Sequence, residues 1–215
     1  MKKSNQVVFI GGNEKIPPFS ASRKEREKNK GCSRKTKVLA VGDIHGDTGL
    51  VKKLAAKAKK EGVDIVILAG DLTLAEQSTD NLIGPFLKAG KQVLIIPGNH
   101  ETRATAEFLS EVYAPTKNLH GYYFKKGDLG IFGAGGGDIG IHRVKDAEIF
   151  NLLKRSHNSL KGIKKQIMVT HMHPRGSKAE FTGFEGSRGV RKAVEEFHPD
   201  ILVSAHIHEA GGIEE

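Results

Sequence analysis

The sequence has one cysteine, Cys32, and no tryptophan. A single thiol closes no internal disulfide and offers no thiolate cluster, which excludes a disulfide scaffold and a cysteine-based zinc site. No apolar run approaches the roughly 18–20 residues of a membrane-spanning helix. The N-terminus reads Met1-Lys2-Lys3, but its apolar run is only Val7-Val8-Phe9-Ile10. That is too short for the centre of a secretory signal, and no small-residue cleavage site follows closely. The cytoplasm is the compartment these absences favour.

What is present is ordinary in amount and uneven in place. A length of 215 residues predicts one domain, or one domain with a tail, and suffices for a sizeable core. The formal net charge is +9, but it is not spread evenly. Residues 1–37 hold eleven Lys/Arg against three Asp/Glu, and residues 38–215 hold 23 against 22. The sequence therefore has a basic tail and a near-neutral body. Arg23-Lys24-Glu25-Arg26-Glu27-Lys28 lies in a stretch with almost no large apolar side chains. Such composition predicts a mobile or weakly helical tail over residues 1–36, with Val7–Ile10 as an edge strand. The tail reads either as a solubilising segment or as an anchor for nucleic acid or another polyanion.

From Lys37 onward the pattern changes. Val38–Val41, Ile65–Ala69 and Val93–Ile96 are short apolar runs that read as buried parallel strands. Thr48–Glu61 reads as an amphipathic helix between the first two, and Thr79–Ala89 as a second helix, kinked near Gly84-Pro85. This β-α-β-α-β order is that of a parallel sheet with right-handed crossovers. Tyr122–Phe124 and Leu129–Phe132 read as a hairpin, and Ala134–Gly140 as a flexible glycine-rich loop. Helices are expected over Val144–Leu160 and Arg188–Phe197, and strands over Ile167–Val169 and Ile201–Val203. Gly135–Gly140 fits G-x-G-x-x-G formally. It lacks the preceding first strand of a βαβ unit and the acidic residue further on, so it does not indicate nucleotide binding.

Polar residues follow these strands directly: Asp43-Ile44-His45, Gly70-Asp71, Gly98-Asn99-His100-Glu101, His171, and His206-Ile207-His208. Parallel strands place their carboxyl ends on one edge of a sheet, where open α/β folds bind ligands. Singly, each residue has a plain reading: an aspartate caps a helix, an asparagine makes a turn, a histidine packs. Together they form a nitrogen and oxygen donor set suited to Mn, Fe, Zn, Co or Ni. An extended backbone would point Asp43 and His45 to one side, and His206 and His208 likewise. Seven ligands exceed the need of one open catalytic ion. The count suits two ions, which can clamp the attacking and leaving oxygens of a phosphate ester.

These five blocks, in this order, resemble the calcineurin-like metallophosphoesterase superfamily, and most closely its small stand-alone phosphoesterases. The resemblance covers about residues 37–215. It implies a four-layer αββα sandwich of two mixed sheets flanked by helices. It implies that Asp43, His45 and His208 hold one metal, that Asn99, His171 and His206 hold a second, and that Asp71 bridges both. It implies attack by a metal-bridging water, with His100 stabilising the phosphoryl oxygens or protonating the leaving group. Glu101 would orient His100 or support its loop. His173 is a candidate for the substrate cleft, and Arg103 and Arg175 for contacts to phosphate. His120, His142, His157 and His198 have no such motif and read as surface or core.

The implied activity is hydrolysis of phosphate esters, with phosphodiesters favoured over monoesters. The alternatives are a nuclease that holds nucleic acid through the basic tail, and a non-catalytic metal-stabilised scaffold. Three departures stand out. Ala205 occupies a position where the family usually has glycine, so strain is expected there if a positive φ is needed. The chain ends seven residues after His208, where relatives usually add a strand, which raises the expectation of a truncated domain. Gly70-Asp71 is followed by Leu72-Thr73, with no Asp-Arg-Gly run, which argues against the serine/threonine protein phosphatases of the superfamily.

Overall fold

The computed structural model describes residues 7–13 and 35–211. The first sheet holds β1 (Val7–Asn13), β2 (Lys35–Val41), β3 (Ile65–Ala69), β4 (Gln92–Ile96) and β5 (Lys117–Asn118), in that spatial order. β2 to β5 run parallel, and β1 pairs antiparallel with β2 at the edge. The second sheet orders β6 (Tyr123–Lys126), β7 (Leu129–Ala134), β8 (Lys165–Thr170) and β9 (Ile201–Val203). β6 and β7 form the expected hairpin, and β7, β8 and β9 are parallel. Both sheets are mixed. The charged run Arg23–Lys28 lies outside the described residues.

The strand runs are continuously apolar because both faces of the first sheet are covered. Leu39, Val41, Val66, Leu68, Val93 and Ile95 face one way and pack on helices. Val38, Ala40, Ile65, Ile67, Leu94 and Ile96 face the other way and meet Ile131, Ile167, Val169 and Val203 of the second sheet. Behind that sheet, Phe132 and Met168 pack on a second set of helices. The layers are α, β, β, α. Each fully buried aliphatic side chain in them contributes about 1.5–3 kcal/mol by leaving water.

Helix α1 (Thr48–Lys60) begins where the Asp47 carboxylate accepts from Leu50 N, at 2.9 Å. It buries Val51, Leu54, Ala55 and Ala58 and places Lys57, Lys59 and Lys60 in its last turn, beside the negative end of its dipole. Helix α2 is only Gly84–Lys88. The kinked helix expected from Thr79 does not form, because Pro85 is accommodated in a first turn and so opens the helix. Helix α3 (Arg103–Val112) was not anticipated. Its signal is the cap Thr102, which accepts from Thr105 N, with Ala106 and Leu109 buried three apart. Helices α4 (Asp146–Asn158) and α5 (Arg188–Phe197) cover the second sheet, α5 capped by Ser187. Among the described residues, no helix is long and apolar enough to cross a membrane.

Candidate active site and metal centre

The loops after β2 and β3 stay tied together beyond the strands. Asp43 N donates to Gly70 O (3.1 Å), His45 N to Asp71 O (2.8 Å) and Gly46 N to Leu72 O (2.8 Å). The backbone there is not extended, contrary to the sequence reading. Asp43 (φ 56°), His45 (φ 48°), Asp71 (φ 51°) and His206 (φ 72°) are all left-handed. Loop-to-loop hydrogen bonds, rather than strand alternation, aim these side chains. Such conformations cost on the order of 1–3 kcal/mol each and persist only where the surroundings impose them.

The side chains converge from both sheets. His45 Nε2 lies 3.1 Å from His208 Nε2, and His208 Nε2 lies 3.8 Å from Asp43 Oδ1. Asp71 Oδ2 is central, at 3.4 Å from His171 Nε2, 3.8 Å from His45 Nε2 and 3.9 Å from His100 Nε2. Asn99 Oδ1 is 3.0 Å from His171 Nε2. Donor atoms of three groups lie close enough to share an ion: Asp43, His45 and His208; His45, Asp71 and His100; and Asp71, His171 and His206.

Supporting contacts fix these donors. His171 Nδ1 donates to Ala69 O at 2.9 Å, which turns Nε2 toward Asp71 and Asn99. The Asp43 carboxylate accepts from His206 N at 3.1 and 3.2 Å. Asp71 Oδ1 accepts from His100 N at 3.0 Å. A Cβ on Gly98 would lie 2.0 Å from that Asp71 oxygen, so only glycine permits the approach. Glu101 is fully buried and accepts from Gly98 N (2.8 Å), Leu72 N (3.2 Å) and Thr73 N (3.2 Å). It ties the β3 loop to the β4 loop. Burial, then Asp71, pushes its carboxyl up to about 7.

The electrostatics show a demand for positive charge. Asp43 and Asp71 are 0% and 2% exposed, and their ion-pair partners among the described residues are histidines. Buried carboxylates require paired charge or a metal. Burial disfavours a charged His171, but Asp71 and then Asp43 outweigh it and push the ring up to about 9. Burial also works to raise Asp71, yet His171 and His100 hold it below the usual carboxylate range. Burial raises Asp43. Burial, then His171, pushes His206 down to about 4. These overlapping groups of nitrogen and oxygen donors around buried carboxylates fit divalent cations.

The weaker candidates have other partners. Arg103 pairs with Glu107 on α3, at 2.8 Å. Arg175 is held by the Glu185 carboxylate through two N–H groups. His173 is buried, and Ser187 N donates to its carbonyl. Ala205 does not have a positive φ; the left-handed residue is its neighbour His206. Ala205 N donates to His171 O at 2.9 Å, and its methyl faces Gly42, where a Cβ would lie 2.4 Å away. The residue that sequence reasoning missed is Asp138, whose Oδ1 lies 3.6 Å from His206 Nε2. It belongs to the glycine-rich loop, which is held on the β4 loop by Gly136 N to Pro97 O (3.0 Å) and Ile141 N to Asn99 O (2.9 Å). The density of glycines before helix α4 was the available signal.

Comparison with known proteins places the fold and the family. The crystal structure of TT1561 of Thermus thermophilus superposes with a TM-score of 0.65 at 20% identity, over 79% of this chain and 80% of that one. A second solved structure gives 0.64 at 16% identity, over 80% and 84%. At these identities the likeness is one of fold. No curated protein matches the sequence. The family profile of the calcineurin-like phosphoesterases matches residues 36–210. The chain therefore belongs to the calcineurin-like phosphoesterase family, whose members bind divalent metals and hydrolyse phosphoesters.

Proposed function

We propose that the protein is a dinuclear metal-dependent phosphodiesterase. The observation that carries this reading is the position of Asp71 between the donor groups: one buried carboxylate oxygen lies within 3.9 Å of His45, His100 and His171. Asp43, His45 and His208 would hold one ion, and Asn99, His171 and His206 the other, with Asp71 shared. Such ions, with manganese a natural occupant of this donor set, would supply Lewis acidity toward phosphoryl oxygens and acidify water.

The residues of the chain do the rest. The His100 side chain is 32% exposed, open to a substrate at the edge of the cluster. Its backbone N–H is fixed on Asp71, so the ring is delivered by the same carboxylate that joins the two donor groups. From there it donates a proton to the leaving oxygen or a hydrogen bond to the phosphoryl group. Glu101 keeps that loop in place through buried hydrogen bonds. A diester fits better than a monoester because it carries less charge. The arginines nearest in sequence to the donors, Arg103 and Arg175, are already paired with carboxylates.

Metal-stripped protein, given back Mn, Ni, Co or Zn, should hydrolyse bis(4-nitrophenyl) phosphate faster than 4-nitrophenyl phosphate. Asp71→Asn should abolish restoration, and His100→Ala should lower kcat by roughly 10²–10⁴-fold. Folded protein that binds two ions and hydrolyses neither ester would instead be a scaffold.

A further inference from the structure

Nine large apolar side chains are exposed among the described residues, and five of them lie on loops that carry or touch the donor cluster. Leu74 is on the β3 loop, where Thr73 Oγ1 donates to His100 O. Ile139 and Ile141 are on the glycine-rich loop, where Ile141 N donates to Asn99 O. Phe181 and Phe184 are the most exposed of all, at 65% and 60%. Isolated exposed apolar residues are normal; several of them on the loops that carry one cluster point to a binding surface.

The two phenylalanines sit on an excursion that leaves the chain two residues after His171. Its base is closed by Arg175 N to Ser187 O (3.0 Å) and Ser187 N to His173 O (2.9 Å). Within it, Gly186 N donates to the Glu180 carboxylate at 2.8 Å. Its 3₁₀ turn, Lys178–Thr182, packs against the turn His208–Ala210, which starts at a donor residue. The excursion is thus braced internally and attached next to two donor residues, His171 at its base and His208 at its turn, which presents the rings at little ordering cost.

We propose that Phe181 and Phe184 form a lip that recognises a planar aromatic group on the retained side of the phosphoester, opposite the leaving group, so that the enzyme prefers an aryl group over an alkyl one in that position. This rests on the phosphoesterase reading and assigns the substrate class of that same site. Ring-to-ring contact of this kind is worth roughly three- to tenfold in affinity.

The test keeps the leaving group constant and changes the retained one. Full-length metal-loaded protein is given phenyl 4-nitrophenyl phosphate and methyl 4-nitrophenyl phosphate. Binding of phenylphosphonate and methylphosphonate is measured alongside by calorimetry. The wild type should favour the phenyl compound in both assays. Phe181→Ala, Phe184→Ala and the double variant should raise KM for the phenyl ester, leave kcat unchanged and leave the methyl ester untouched. Equal effects on both esters, or a phenyl preference that survives the double variant, would overturn the lip. Absence of hydrolysis with the phenylphosphonate preference intact would overturn the esterase reading alone. Hydrolysis without that preference would overturn the lip alone, and neither binding nor hydrolysis would overturn both.

Discussion

Asp43, His45, Asp71 and His206 each combine a donor side chain with a left-handed backbone. Aspartate and histidine tolerate this conformation better than β-branched residues do, so the same types serve both needs. The residue types and their order were legible from the strand-end motifs; the dihedral angles were not, because they arise from hydrogen bonds between loops far apart in sequence. Away from the cluster, His120 behaves as the sequence suggests, as a core residue. It is 3% exposed, and its Nδ1 accepts from Gly135 N at 3.0 Å. Burial, then His142, Arg103 and Arg155, pushes it down to about 3. A ring that stays neutral in the folded state and protonates when unfolded supports the fold fully above about 6.5. Its contribution is lost as pH falls from there toward about 3. One excluded proton costs about 1.4 kcal/mol per pH unit, hence about 2 kcal/mol between pH 6.5 and 5. His120→Asn, which keeps an acceptor for Gly135, should lose less stability than wild type by about that amount over this interval. Guanidinium unfolding of the chelated protein at the two pH values checks this, and equal losses would assign the effect to other groups.

The end of β2 meets the segment after β9 through two small residues. Gly42 leaves room for the Ala205 methyl, and each flanks a donor residue, Asp43 and His206. Gly42→Ala should overpack the contact and destabilise by about 1–3 kcal/mol. Adding Ala205→Gly should recover much of that loss, giving a favourable coupling in a double-mutant cycle. Additive effects would mean that the methyl is not what Gly42 accommodates. The same element scale separates what the sequence could show from what it could not. Buried runs such as Ile65–Ala69 and striped helices such as Arg188–Phe197 stand out because both faces of a strand, or one face of a helix, are apolar. β5 is two residues long and has no pattern to read, and it pairs only because the neighbouring β4 edge is open to it. α2 shrank because a single proline outweighs the apolar spacing before it.

At the scale of the molecule, donors come from both sheets: Asp43, Asp71 and Asn99 follow β2, β3 and β4, and His171 and His206 follow β8 and β9. Cation binding should therefore stabilise the whole fold. At a free ion concentration one hundred times Kd the gain is about 2.7 kcal/mol, which corresponds to a rise in Tm of roughly 5–10 °C for a chain of this size. Thermal unfolding with and without a chelator measures it, and Asp71→Asn should remove most of the difference. An unchanged Tm on adding Mn or Zn would show that the donors do not hold an ion in the folded state. Between the two sheets lies a layer held by side-chain packing. At one edge the chain itself crosses that layer, where Gly121 N donates to Gly133 O. The donor cluster closes the layer at another place, with Asp43 of one sheet accepting from His206 beyond the other. An ion held there by donors from both sheets would act as a rivet through two plates. Its escape rate becomes a gauge of how often the plates part, so slow metal exchange would time the breathing of the interior rather than the strength of any one bond to the ion.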